Sequence, residues 1–324
     1  MYALERGLGQ RWLGILFAVF TAIAAFGIGN TVQANAIATL AYESYQVPPV
    51  VTGAVVALLV GAVVVGGVKS IARVCSMFVP FMALLYVAGC IFILTVNAQY
   101  LWPALCTIVQ SAFAPEAAGG GLAGAAVMLA ARYGIARGLF SNESGLGSAP
   151  IVAAAAQTRN PVRQALVSGT ATFWDTVVIC ALTGLVIVSS IIAYPDISIE
   201  NGATLTKAAF SKIPYIGLPL LTFGLLTFAF STLLGWCYYG ERCVEYLSGT
   251  RAMKGYRILY VVAVFLGSIV SLQLVWNLAD IMNALMALPN LLSLLLLSGV
   301  LVAETRKYLW NHNLDANADE EPEE

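Results

Sequence analysis

The sequence predicts an all-α, polytopic membrane protein. Its 324 residues are 60% hydrophobic and only 10% charged, whereas soluble domains carry about 25% charged residues. The apolar residues come in blocks of about 20, which is the length a helix needs to cross the hydrocarbon core of a bilayer. The formal net charge is −1, so no basic surface indicates nucleic-acid binding.

Eight apolar blocks are predicted to span the membrane and to form one transmembrane domain over residues 1–305. They cover residues 12–38, 50–68, 74–96, 119–140, 164–192, 215–239, 257–275 and 279–302. The first block is longer than a signal-peptide core and is followed by no small-residue cleavage site. Residues 306–324 end in DANADEEPEE, an acidic and apolar-poor composition that predicts a disordered cytoplasmic tail.

The basic residues predict the orientation of the chain. When the spans alternate in direction, fourteen lysines and arginines fall on one side and only Lys207 and Lys212 fall on the other. Because lysine and arginine accumulate in cytoplasmic loops, this bias predicts a multi-pass protein of the plasma membrane with both termini in the cytoplasm.

Cysteine and histidine give no sign of a cofactor or of an enzyme. The six cysteines form no C-x-x-C pair, and the single histidine, His312, lies in the polar tail. Cysteine within apolar blocks behaves as a small hydrophobe, so we expect no disulfide or metal framework. The sequence shows no nucleophile–base pair that would indicate an intramembrane enzyme, and no repeated polar filter that would indicate a channel. These two classes are therefore weaker alternatives to a transporter.

The stretch RGLFSNESGLGSAP, residues 137–150, interrupts the apolar pattern. Each glycine in a helix costs about 1 kcal/mol relative to alanine, and serine and asparagine compete for backbone hydrogen bonds. Two interpretations are open. The stretch is a cytoplasmic loop, or it belongs to a helix break whose free backbone groups contact a solute, as in secondary transporters.

Two further polar clusters interrupt apolar blocks. In FGIGNTVQANA, Asn30 and Gln33 are three residues apart and share a helix face, and their amides suit a neutral or zwitterionic solute. In FAFSTLLGW, Ser231 and Thr232 supply hydroxyl oxygens, which suit a small hard cation such as sodium. The alternatives are an interhelical hydrogen bond for the amides and bonding within the helix for the hydroxyls.

Asp175, in ATFWDTVVI, is a carboxylate within an apolar block. Such a group costs about 2.5–3.5 kcal/mol at the centre of a bilayer. Asp175 lies between Thr172 and Thr176, which makes it a candidate functional residue, although a structural pair with an amide or a basic residue is the alternative.

Several stretches resemble the sodium:alanine symporters, also called alanine or glycine:cation symporters. They are GLFSNESGLGSAPIVAAAAQT, NPVRQALVSGTATFWDT and FGIGNTVQANAIA, and the resemblance covers roughly residues 1–305. It implies a leucine-transporter-like fold with inverted repeats and broken helices, and sodium-coupled uptake of alanine or glycine. It also implies that Gln33, Thr232 and Trp236 belong to the substrate site and that Gly134 to Phe140 is the neighbourhood of a broken helix.

The sequence therefore predicts a specific set of site residues. Those expected to bind substrate are Asn30, Gln33, Gly134, Phe140, Thr232 and Trp236, and those expected to bind sodium are Ser231 and Thr232. The opening MYALERGLG resembles an internal stretch of the family, so helices that normally precede it are expected to be missing. An inactive fragment of such a carrier is the corresponding alternative function.

Overall fold

The computed structural model describes residues 1–113, 134, 138–197, 202–270 and 272–317, and these fold almost entirely into helices. The helices are α1 Arg11–Phe26, α2 Val32–Tyr45, α3 Pro49–Val65, α4 Gly67–Val96, α5 Ala98–Phe113, α6 Ala149–Ala153, α7 Pro161–Thr172, α8 Ala181–Ala193, α9 Gly202–Ser211, α10 Gly217–Ser248, α11 Arg251–Gly267, α12 Leu272–Leu296 and α13 Ser298–Thr305. Wide π-type turns cover Ala3–Gly7, Gly27–Thr31, Phe173–Cys180 and Arg306–Trp310. Two of these join α1 to α2 and α7 to α8.

Five helical stretches of the described chain are long and apolar enough to cross a membrane. They are Arg11–Tyr45, Gly67–Val96, Pro161–Ala193, Gly217–Ser248 and Ala279–Leu296, and the 17-residue Pro49–Val65 is a shorter apolar helix. This confirms the predicted all-α, polytopic membrane class. The predicted span over 119–140 lies almost wholly outside the described residues, so the count of eight spans and the inverted-repeat fold stay predictions.

The first long stretch packs at the centre of the molecule. Helix α1 lies against α10 and α12, while α11 lies against α3 and α10. Gly29, in the π-type turn, is in close contact with Trp236 of α10, and a Cβ atom at position 29 would overlap the indole. Small residues that let helices approach closely are the usual basis of helix association in lipid, so this glycine sets the spacing of the turn from α10.

Two lysines in and just after α9 form ion pairs. Lys207 Nζ lies 3.0 Å from Glu43 Oε2, and Lys212 Nζ lies 2.6 Å from Asp196 Oδ2. The hydrogen bond from Lys212 holds the pKa of Asp196 below its usual range. The side of the membrane on which these pairs lie remains a prediction.

The first part of the predicted disordered tail packs against the helices. Tyr308 is only 1% exposed, and Arg163 Nη1 donates to Asp315 Oδ1 at 2.7 Å. Asn160, which caps α7 through a hydrogen bond from the Arg163 N–H, also donates to the carbonyl oxygen of Leu314 at 2.8 Å. Residues 306–317 therefore differ from the expected disorder because α7 provides hydrogen-bond partners. Residues 318–324 lie outside the described chain.

Candidate functional site

A cavity of about 700 Å³ lies between α2, α9, α10 and the π-type turn Phe173–Cys180. Two of the predicted site residues, Gln33 and Thr232, line it together. Its other polar and charged lining residues are Thr39, Glu43, Ser141, Asp175, Thr206 and Lys207, and its aromatic ones are Tyr86, Phe228 and Trp276. Gln33, Asp175 and Thr232 each lie well inside a helical stretch of 32 to 35 residues that is long and apolar enough to cross a membrane.

The π-type turn Gly27–Thr31 positions Gln33 at the cavity. The Gln33 Nε2 atom donates to the carbonyl oxygen of Ile28 at 3.2 Å, so one amide hydrogen holds the side chain against the turn. No described residue donates to the Gln33 carbonyl oxygen. The amide therefore retains both an acceptor and a second donor hydrogen for a solute in the cavity.

The hydroxyls of Ser231 and Thr232 both donate to the carbonyl oxygen of Phe228, each at 2.9 Å. Hydrogen bonding of these hydroxyls within their own helix was the alternative interpretation of the sequence, and both bonds are present in the structure. It uses the hydroxyl hydrogens and leaves oxygen lone pairs to accept or to coordinate. Thr232 lines the cavity whereas Ser231 does not, so the structure brings only one of the two hydroxyls to this space.

The interrupted stretch forms a short helical end followed by a turn whose residues 146–148 are buried. Residues 138–142 are helical, and the chain then passes through left-handed backbone at Glu143, with φ +56°, and at Gly147, with φ +85°. Ser148 is fully buried and its Oγ donates to Glu143 Oε2 at 2.8 Å. A Cβ atom at Gly147 would lie 2.8 Å from both Asn290 and Phe17. The second half of the stretch is therefore packed against protein, whereas Ser141 and Ser144 are exposed, and the helix-break interpretation stays a prediction.

The same stretch supplies a polar contact to the cavity wall. Ser141 Oγ donates to Asp175 Oδ2 at 2.7 Å, and the Thr176 hydroxyl lies 3.4 Å from the same oxygen. Asn142 Nδ2 lies 3.3 Å from Thr176 Oγ1. These contacts join the end of the 138–142 helix to the π-type turn that contains Asp175.

Comparison with known proteins identifies the family. The sequence profile of the sodium:alanine symporter family matches residues 1–322. The chain belongs to this family. It is 50% identical to the sodium/alanine symporter AgcS of Methanococcus maripaludis, over 95% of this chain and 68% of that protein. It is 51% identical to an uncharacterized transporter of Haemophilus influenzae with the same coverage, and 35% identical to the probable sodium/glutamine symporter GlnT of Bacillus subtilis, over 95% and 63%.

The symporter is thus a cation-coupled amino-acid carrier and not an enzyme. The resemblance noted in the sequence is confirmed. The family match covers residues 1–322 of the chain, the chain spans 68% of the length of AgcS, and the expectation of missing helices before the first residue stays a prediction. The channel and enzyme alternatives are likewise not favoured by any of these relatives.

The remaining predicted site residues of the symporter lie away from the cavity lining. Asn30 is buried and its Nδ2 donates to the carbonyl oxygen of Tyr260 at 2.8 Å, while its Oδ1 has no partner among the described residues. Trp236 is 2% exposed and packs between Gly29 and Tyr239. Phe140 packs on the main apolar core. Gly134 is described, but the residues on both sides of it are not.

Sequence reasoning missed the charged pair at one end of the cavity. Glu43 and Lys207 are 164 residues apart and form an ion pair at 3.0 Å. Each residue lies in a predicted connection between spans, where charged residues are common. Neither residue therefore indicates a site when its own stretch of sequence is considered alone. Ser141 and Asp175 were visible as polar interruptions, but their contact across 34 residues was not.

Proposed function

We propose that this symporter carries alanine together with sodium across the plasma membrane, and that the cavity lined by Gln33 and Thr232 is its binding space. The observation that supports this most is that an amide and a hydroxyl from two different membrane-depth helices line one cavity. The printed name of the relative AgcS, a sodium/alanine symporter, supports the choice of solute and ion. Glycine is proposed as a second substrate because it lacks only a methyl group.

The chemistry of the lining suits a small zwitterion. The Gln33 amide both donates and accepts, while Tyr86, Phe228 and Trp276 supply apolar and aromatic surface for a methyl side chain. The Thr232 oxygen, whose hydrogen is donated to Phe228, is proposed as a sodium ligand. Ser231 has the same internal bond and is proposed as a weaker contributor because it does not line the cavity.

The other predicted residues are proposed to act at the edge of the site. Asn30 has a buried carbonyl oxygen without a partner among the described residues, and buried polar atoms are rarely left so, so it is an acceptor available to a ligand. Trp236 holds the Gly27–Thr31 turn against α10. Phe140, in the interrupted stretch, is proposed to form one edge of the site. Gly134 is proposed to belong to the helix break.

Coupling follows from the energetics of the ion. A sodium ion moving inward gains about 2.3 kcal/mol per 100 mV of membrane potential. If sodium and alanine both stabilise the same state of the cavity, each raises the affinity for the other. With both termini in the cytoplasm, as the basic residues predict, the Glu43–Lys207 end of the cavity faces outward.

The test is uptake of labelled alanine by proteoliposomes that contain the purified chain. We expect saturable uptake with an inward sodium gradient, and little when choline replaces sodium at constant ionic strength. Uptake measured with a protonophore distinguishes sodium coupling from proton coupling. Uptake measured with excess unlabelled glycine or glutamine tests whether either amino acid competes with alanine. Uptake that is absent, or equal with and without sodium, would reject the proposal and would favour the inactive-fragment alternative.

A further inference from the structure

The carboxylate of Asp175 is the feature of the cavity that the proposed function leaves unexplained. It lies in the middle of the apolar stretch Pro161–Ala193 and lines the cavity. Across the described ranges, no lysine, arginine or histidine nitrogen lies within ion-pair distance of it. A carboxylate at this depth is costly without a compensating positive charge, and such residues usually mark ion pathways.

Two hydroxyl oxygens lie close to one oxygen of this carboxylate. Ser141 Oγ lies 2.7 Å from Asp175 Oδ2, and Thr176 Oγ1 lies 3.4 Å from the same atom. Ser141 donates its hydrogen to the carboxylate and keeps oxygen lone pairs for an ion. Thr176 donates to the same carboxylate and accepts from Asn142 Nδ2 at 3.3 Å, so one of its lone pairs stays available. Carboxylate and hydroxyl oxygens are hard ligands that select hard cations, and a single negative charge matches a monovalent ion better than a divalent one.

The backbone around Asp175 also departs from a regular helix. Residues Phe173–Cys180 form a π-type turn, and such turns occur frequently at functional sites. On the other side, Ser141 belongs to the helical turn that ends at the break of Glu143. The Ser141 hydroxyl therefore reaches the carboxylate from a second segment, 34 residues away in sequence, so the oxygens are not all supplied by the segment that contains Asp175.

We propose that Asp175, with the hydroxyls of Ser141 and Thr176, binds a sodium ion at a second position in the cavity, separate from the position proposed at Thr232. This inference adds a ligand site to the proposed function and rests on it only in treating the cavity as the path of the ion. The ammonium group of an amino acid carries the same charge, so the experiment is designed to separate the two.

The experiment measures equilibrium binding of ²²Na⁺ to the purified full chain in detergent, without amino acid and with choline holding the ionic strength constant. We expect Asp175→Asn to lose one bound sodium ion per chain. In proteoliposomes the same variant is expected to need about tenfold more sodium for half-maximal alanine uptake, which corresponds to about 1.4 kcal/mol. Asp196→Asn is the matched control, because its carboxylate is outside the cavity and pairs with Lys212, and it should bind sodium as the unaltered chain does.

Two milder variants keep the test decisive if Asp175→Asn does not fold. Thr176→Val and Ser141→Ala retain the carboxylate and remove one oxygen each, and both should weaken ²²Na⁺ binding. Unchanged ²²Na⁺ binding in all folded variants would overturn the proposal, as would an unaltered chain that binds no sodium. Unchanged sodium binding together with weaker alanine affinity would assign the carboxylate to the ammonium group and would also overturn it. Failure of alanine uptake by the unaltered chain would reject the proposed function alone, because ²²Na⁺ binding is measured without amino acid.

Discussion

Glu241 of α10 and Arg257 of α11 form a bidentate ion pair in the protein interior. Arg257 donates from Nε to Glu241 Oε2 at 2.8 Å and from Nη2 to Glu241 Oε1 at 2.6 Å. The Glu241 side chain is 1% exposed and that of Arg257 is 22% exposed. Two aligned hydrogen bonds compensate a buried carboxylate far better than a single contact does. The pair therefore fixes the end of α10, the helix that carries Thr232, to α11.

Removal of the arginine should be strongly destabilising. Arg257→Met leaves Glu241 buried with Arg242, at 3.2 Å, as its remaining basic partner in the described part of the chain, and breaking one side of a buried pair costs about 3–5 kcal/mol. We expect a large fall in the thermal unfolding temperature in detergent, and loss of folded protein is the extreme form of the same result. Arg251→Met, on the exposed first residue of the same helix, is the matched control and should change stability little.

A double variant separates the burial of charge from the packing of α10 against α11. Glu241→Leu with Arg257→Met removes both charges and should recover much of the stability that Arg257→Met loses, because no uncompensated carboxylate remains. Equal stability of Arg257→Met and the unaltered chain would contradict the structural role of the pair.

The same residues show why the helices were predictable and their ends were not. Apolar blocks indicate helices because backbone groups in lipid must be bonded within the segment. The sequence placed the end of the α10 block at residue 239, but the helix continues to Ser248. Its last turns are polar, and ion pairs such as Arg242 with Glu245 at 2.6 Å stabilise them. Hydropathy alone cannot predict helical turns that are polar and stabilised by ion pairs.

The candidate site was predictable where a polar residue interrupts an apolar block, and not where distant residues meet. Gln33 and Thr232 were predicted as site residues in this way, and both line the cavity. Trp236 shares a helix face with Thr232, yet it packs against Gly29 instead, because the position of a neighbouring helix decides what a face contacts. The Glu43–Lys207 pair spans 164 residues, and only the tertiary fold brings it together.

Gln33→Ala should weaken substrate affinity. The substitution removes the cavity-facing amide that is held by its bond to Ile28, and a lost hydrogen bond to a charged solute group costs about 1.5–3 kcal/mol. The half-saturating alanine concentration for sodium-driven uptake should therefore rise at least about tenfold. Gln10→Ala removes an exposed amide outside the cavity and is the control. An unchanged half-saturating concentration in an active carrier would exclude Gln33 as a substrate ligand.

Thr232→Val should raise the sodium requirement without abolishing uptake. Valine keeps the shape of threonine and removes the oxygen that faces the cavity, so sodium affinity should fall while uptake at saturating sodium persists. The measurement is the sodium dependence of alanine uptake, with at least a severalfold shift expected from the loss of one ligand. Thr227→Val is a close control, because Thr227 lies on the same helix, is bonded to Phe223 at 2.7 Å and does not line the cavity. Equal sodium curves for the two variants would remove Thr232 from the ion site.

Cys180 should report occupancy of the cavity directly. It is an exposed thiol that lines the cavity, with its Sγ 3.6 Å from Ser141 Oγ. In a chain that keeps only this cysteine, a small charged thiosulfonate reagent should modify it, and alanine with sodium should slow the reaction. At ligand concentrations ten times the dissociation constant, mass action leaves about one chain in eleven unoccupied, so the rate should fall about tenfold. A chain that keeps only the fully buried Cys237 is the control and should resist modification in either condition. If alanine and sodium do not change the rate of Cys180 modification, the solute does not occupy the space beside Ser141 and Asp175.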